Sequence, residues 1–97
     1  MRMLLDVGKG GPFLHLIDEK GTKRAGLELN KAGPLLGLYD EKGRSRTFLT
    51  VVQAGPGLFF RDDMAKVRAA LGVNKDGPVL NLMDGEGKKV WSAPQQP

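Results

Sequence analysis

The stretch Gly33-Pro34-Leu35-Leu36-Gly37-Leu38-Tyr39-Asp40-Glu41-Lys42-Gly43-Arg44-Ser45-Arg46 decides the fold, because it returns every 22 residues along the chain. Gly-Pro stands at Gly11-Pro12, Gly33-Pro34, Gly55-Pro56 and Gly77-Pro78, and leucine follows two positions on at Leu14, Leu36, Leu58 and Leu80. Then come Leu16, Leu38, Phe60 and Leu82, and after them Asp18, Asp40, Asp62 and Asp84. Each unit runs on through Arg24, Arg46 or Arg68 to a second apolar run, Leu27-x-Leu29, Leu49-x-Val51 or Leu71-x-Val73. Arg2, Leu5, Val7 and Lys9 fit the same frame, so the chain opens on a half unit, 1–10, followed by units 11–32, 33–54, 55–76 and an imperfect 77–93. A period of this length marks a stack of supersecondary units, and all the units are read as one domain, 1–93, with a flexible tail at 94–97.

Within a unit the apolar residues alternate with others, which is the period of a strand and not of a helix. Two such runs around Asp-Glu-Lys-Gly make a β-hairpin, since Asp bonds nearby backbone N–H groups and Gly accepts a positive φ. Asn30-Lys31-Ala32-Gly33 and Asn74-Lys75-Asp76-Gly77 give a second set of tight turns between units, with Pro preset for an extended strand start. Side-chain parity follows from loop length. Four-residue loops place Leu5, Val7, Leu14, Leu16, Leu27, Leu29, Leu36, Leu38 and their repeats on one face, whereas a three-residue loop with a bulge would scatter them over both. Even loops are therefore expected. Residues 63–71 contain good helix formers, but the repeat register places Arg68, Leu71 and Val73 at strand positions, so a strand is expected there too.

The expected architecture is all-β: an antiparallel up-and-down meander of eight or nine short strands. A flat sheet would leave its leucines uncovered, and rolling it into a closed or nearly closed barrel would bury them within one chain, with Trp91 plugging an end. Open sheets packed face to face in a dimer, or an oligomeric propeller, are the alternatives.

Composition narrows the chemistry. The 97 residues include no Cys and a single His, which excludes a disulfide framework, a cysteine nucleophile and the usual zinc ligand sets. The Asp turns lack the oxygen ligands of a calcium loop, and Gly8-Lys9-Gly10-Gly11 resembles a phosphate loop only in composition. His15 has no partner at a catalytic spacing. No enzyme activity, catalytic residue, metal or cofactor is expected. Charged residues are 27% of the chain and the net charge is +4, spread along the repeat. No apolar run reaches the length of a membrane helix or reads as a signal segment, so a soluble cytoplasmic protein without membrane contact is the expectation.

Two polar and apolar sets remain as candidate contacts. Arg2, Arg24, Arg46 and Arg68 recur on alternate strands; they serve either cross-strand pairing with acidic neighbours such as Glu28 or an anion- or partner-binding stripe. Nucleic acid is disfavoured, because aromatic platforms are sparse and not periodic. On the face opposite the leucines, Phe13, Ile17, Leu35, Tyr39, Phe48 and Phe59 form a candidate interface for a second copy or a protein partner.

The segment 33–46, with the ending Gly-Lys-Lys-Val-Trp-Ser-Ala-Pro at 87–94, resembles tandem hairpin-repeat segments of bacterial proteins of unassigned function, with the pattern GPxLxLYDxxGxxR. The resemblance covers nearly the whole chain and implies a repeat fold without assigning any site. The expected role is a non-enzymatic structural or protein-interaction module that self-associates. The competing expectation is a lectin-like or polyanion-binding module that holds carbohydrate or another ligand on repeated positions of the face opposite the leucines.

Overall fold

The computed structural model describes residues 1–94, which form one antiparallel sheet of nine strands in sequence order. The strands are β1 (Arg2–Gly8), β2 (Gly11–Ile17), β3 (Lys23–Asn30), β4 (Gly33–Tyr39), β5 (Ser45–Val52), β6 (Gly55–Arg61), β7 (Val67–Asn74), β8 (Gly77–Met83) and β9 (Lys89–Ala93). Among the described residues there is no helix; residues 63–66 belong to a turn and β7 begins at Val67. Of the tail expected at 94–97, all but Pro94 lies outside the described residues.

The turns differ from the four-residue loops expected from side-chain parity. Asp18 N donates to Thr22 O at 2.9 Å and Gly21 N donates back to Asp18 O at 3.1 Å, so each aspartate hairpin closes around three residues. Gly21, Gly43 and Gly87 take φ between 82° and 86° there. Such a turn shifts the register by one, and the shift is undone two residues later. Leu16 pairs with Ala25 but Ile17 pairs with Lys23, leaving Arg24 as an extra residue in a bulge. Arg46, Arg68 and Val90 occupy the same place in later hairpins. The bulge restores the parity that the odd turn breaks, which is why the leucines share one face after all.

The turns between units hold two residues. Asn30 pairs with Gly33, and the Asn30 carboxamide accepts from Ala32 N at 2.9 Å and Gly33 N at 3.2 Å. Gly33 has φ 135°, and a Cβ on it would run into the Val51 carbonyl oxygen of the next hairpin. Glycine is required here by both conformation and space. The proline after it starts the strand.

The sheet stays open. β1 and β9 each have one neighbour, so the barrel expected from the leucine pattern does not form. Nine antiparallel strands leave β1 and β9 running the same way, and closure would demand a parallel pair that a meander of short turns does not make. The Cα extents are 50 × 27 × 17 Å. The radius of gyration is 15.3 Å, against about 12.5 Å for a compact domain of this length. Among the described residues no hydrophobic side chain is fully buried. The chain is a single layer with both faces in solvent.

Candidate functional site

The two faces are built differently. On the leucine face a ladder crosses the sheet through cross-strand pairs: Leu5 with Leu14, Leu14 with Leu27, Leu27 with Leu36, Leu36 with Leu49, Leu49 with Leu58, Leu58 with Leu71 and Leu71 with Leu80. A second row beside it alternates large and small through Leu16, Ala25, Leu38, Thr47, Phe60, Ala69 and Leu82, and ends on a second large residue, Trp91. A third row, nearer the Asn turns, alternates proline with Leu29, Val51 and Val73. None of these residues is charged. Leu27, Leu36, Leu49 and Leu71 are 43–51% exposed, and Trp91, expected to plug a barrel, is 44% exposed on the end strand.

The opposite, mixed face covers itself. Its side chains lie down over glycines that offer no side chain of their own. His15 sits over Gly26, Tyr39 over Gly37 and Phe59 over Gly57, and all three glycines are buried. Phe48 and Phe59 stack with centroids 4.8 Å apart, and the Arg61 guanidinium lies 4.6 Å from the Phe48 ring centroid. Phe13 stacks on His15 at 4.3 Å, and the Lys23 ammonium lies over Tyr39 at 4.4 Å. His15 Nε2 is 3.2 Å from Glu28 Oε1, which also takes Lys23 Nζ at 3.4 Å. Phe13, Ile17, Leu35, Tyr39, Phe48 and Phe59, read from the sequence as a candidate interface, are thus all half-buried against their own sheet.

The arginine row has local partners. Arg24 Nε donates to Tyr39 O at 3.1 Å, Arg46 Nε to Arg61 O at 3.0 Å and Arg68 Nε to Met83 O at 2.7 Å. Each also reaches back to the aspartate of its own turn: Arg24 to Asp18, Arg46 to Asp40 and Arg68 to Asp62, at 3.3–3.4 Å. A bulge leaves carbonyls without ladder partners nearby, and the guanidinium fork serves a carbonyl and a carboxylate together. Arg2 holds the equivalent position on edge strand β1, opposite Ile17, and is exposed. The aspartates accept as well as pair. Asp40 Oδ1 takes the N–H groups of Lys42 and Arg44 at 2.9 and 3.0 Å. Partial burial pushes its carboxyl upward, but the Arg44 N–H, the Arg44 guanidinium and the Lys42 N–H outweigh that and hold it at about 2. The Lys66 N–H lowers Asp62 and the Thr22 N–H lowers Asp18 in the same way.

Chemically reactive constellations are sparse. Among the described residues no three His, Cys, Asp or Glu side chains gather to hold a metal, and no helix is long and apolar enough to cross a membrane. One hollow of about 280 Å³ opens on the mixed face beside Gly8, Phe13, His15 and Glu28, and another of about 230 Å³ is lined by Thr50, Gly57, Phe59, Ala70, Gly72 and Asn81 among others. Asn81 Oδ1, in its wall, is buried without a hydrogen-bond partner. Sequence reasoning missed this hollow, whose only signal was the pair Gly57 and Gly72 facing each other on adjacent strands.

No protein-family model matches the chain, and no curated protein does. Solved structures do. A point mutant of S. aureus TarM, crystallised in complex with fondaparinux, α-GlcNAc-glycerol and UDP, superposes with a TM-score of 0.65 at 11% identity over 93% of this chain. A second structure of TarM superposes with a TM-score of 0.63 at 10% identity, also over 93%. This chain spans 19% of the length of either. At that identity the likeness is one of fold alone: an open meander of this shape recurs as a part of a larger protein.

Proposed function

We propose that the chain is a non-enzymatic interaction module whose leucine face is a docking surface, covered in the working protein by a second layer. One observation carries this: most large side chains of the uncharged face are at least 40% exposed, while no hydrophobic residue is fully buried among the described residues. A sheet that is hydrophobic on one side becomes stable by burying that side against another layer. The exposed surface is 7209 Å², against about 5,400 Å² for an ordinary folded monomer of this mass. The excess is on the scale of one protein–protein contact.

The test uses the natural lack of cysteine. Single cysteines at Leu36 and Leu71, on the leucine face, and at Glu41, in a turn, are labelled with a thiol reagent in the folded protein. The reading expects Leu36→Cys and Leu71→Cys to react at least tenfold more slowly than Glu41→Cys. Equal rates in a protein that keeps its strand signal in circular dichroism would discard it.

A second reading rests on the mixed-face hollow, where the Phe59 ring and the unpaired Asn81 oxygen fit a small polar ligand such as a sugar. Because the positions equivalent to Phe59 and Asn81 are His15 and Gly37 in the other units, this hollow supports one site and not the repeated set expected from the sequence. Saturable binding on a glycan array that Phe59→Ala abolishes would establish it.

A further inference from the structure

We infer that the layer covering the leucine face is a second copy of this chain, stacked face to face about a two-fold axis that runs along the leucine ladder. The inference rests on the docking-face reading and names the occupant. Area comes first: a face of 50 × 27 Å buries roughly 1,300 Å² per copy, or about 2,600 Å² in the pair, within the range of permanent dimers. The area buried per copy is most of the roughly 1,800 Å² by which the lone sheet exceeds a compact monomer. Size complementarity comes second. An axis along the ladder lays each strand antiparallel on its own copy, so the row of alternating large and small side chains meets the row of alternating proline and branched side chains. Leu16 then faces Pro12 of the other copy on β2, Thr47 faces Val51 on β5, and Ala69 faces Val73 on β7; from β2 to β8 each large group meets a proline and each small group a branched side chain, while on edge strand β1 Met3 meets Val7. Any other partner would have to reproduce this beat, whereas a second copy carries it by construction.

Charge is compatible. No charge lies in the ladder or its two flanking rows, and the turns at both margins carry charges of both signs, Lys31, Lys75 and Asp76 at one and Asp18, Lys20, Asp40 and Lys42 at the other. Two copies of net charge +4 repel at long range, so association strengthens as salt rises. Leu49, in the middle strand of nine and on the ladder, lies next to its own counterpart at the axis.

The experiment is sedimentation of the full chain with circular dichroism over a dilution series. The wild type is expected as a dimer whose melting temperature rises with concentration. Leu49→Lys, a mild change on a 46% exposed side chain in a lone sheet, brings two like charges together in the dimer and weakens association by about a hundredfold or more. Mixing it with Leu49→Asp restores a one-to-one pair. Should Leu49→Lys fail to fold, Leu49→Cys supplies the readout: a short bismaleimide links it to itself, and Glu41→Cys is not linked. A wild type that stays monomeric with full strand signal, or a dimer indifferent to Leu49→Lys, overturns the inference, as does a monomer that sediments with anionic lipid vesicles. The outcomes also separate the two levels. A monomer with protected Leu36→Cys and Leu71→Cys means the sheet covers itself, which removes the second copy but keeps the covered face; a dimer with freely labelled leucine-face cysteines pairs by its edges and removes both.

Discussion

The leucine face and the mixed face come from the same strands, yet only one of them finishes its own packing. On the mixed face, glycines at 26, 37 and 57 give His15, Tyr39 and Phe59 a floor to lie on, so large side chains lose water contact within a single layer. On the leucine face the ladder from Leu5 to Leu80 carries leucine at every position and no glycine, and Leu5, Leu27, Leu36, Leu49 and Leu71 stay exposed while Leu14, Leu58 and Leu80 are half-buried. Burial within this sheet comes where a side chain lies down over a glycine; alternation with alanine is not enough, since Leu16 and Leu38, on either side of Ala25, remain 48% and 50% exposed.

Truncations to alanine on the two faces put this difference at risk. Phe59→Ala removes a stacked, half-buried ring and is expected to cost about 3 kcal/mol at any protein concentration. Leu49→Ala is expected to cost about 2 to 5 kcal/mol where the face is covered, and about 1 kcal/mol in dilute solution where it is not. Chemical denaturation at high and low concentration separates the two, and a Leu49→Ala cost that does not change with concentration would erase the contrast between the faces.

The turns give smaller effects that do not depend on what covers either face. Ala65 has φ 66° where the other aspartate turns have glycine. Ala65→Gly is therefore expected to stabilise by about 1 kcal/mol, read as a raised melting temperature. Acid acts through the same turns. The carboxyls of Asp18, Asp40, Asp62 and Asp84 are harder to protonate in the fold than in the unfolded chain, so their contribution is complete at neutral pH. It is lost as the pH falls from the ordinary carboxylate value of 3.8 towards about 2, where Asp40 titrates. Melting temperature should drop through that window, and Asp40→Asn should flatten the drop. Smallest is Arg46→Lys, which loses the fork shared by the Arg61 carbonyl and Asp40. At 40% exposure it should cost about 0.5 kcal/mol, measured by denaturant titration.

Much of this was legible in the residues. The repeat, the strands, the turn aspartates, the positive φ at Gly43 and the strand at residues 67–74 all follow from local chemistry that each unit repeats. The bulge at Arg24, Arg46 and Arg68 was not. Its signal is only that two apolar runs separated by an odd turn still share a face, and alternation alone cannot say which residue absorbs the extra step. The local work of those arginines, bonding a carbonyl in the next hairpin, was hidden for the same reason. The barrel failed on a property that belongs to no unit: whether the first and last strands run the same way or oppositely.

What the sequence alone determined is everything decided within about 22 residues: where the chain turns, which residues are extended, and which side chains fall on which face. Backbone sterics and hydrogen bonds act at that range and repeat with the unit. The tertiary structure alone decided that the sheet remains open and that the leucines are its uncovered side. Closure depends on strand parity summed over the whole chain, and burial depends on a second surface that no single unit contains.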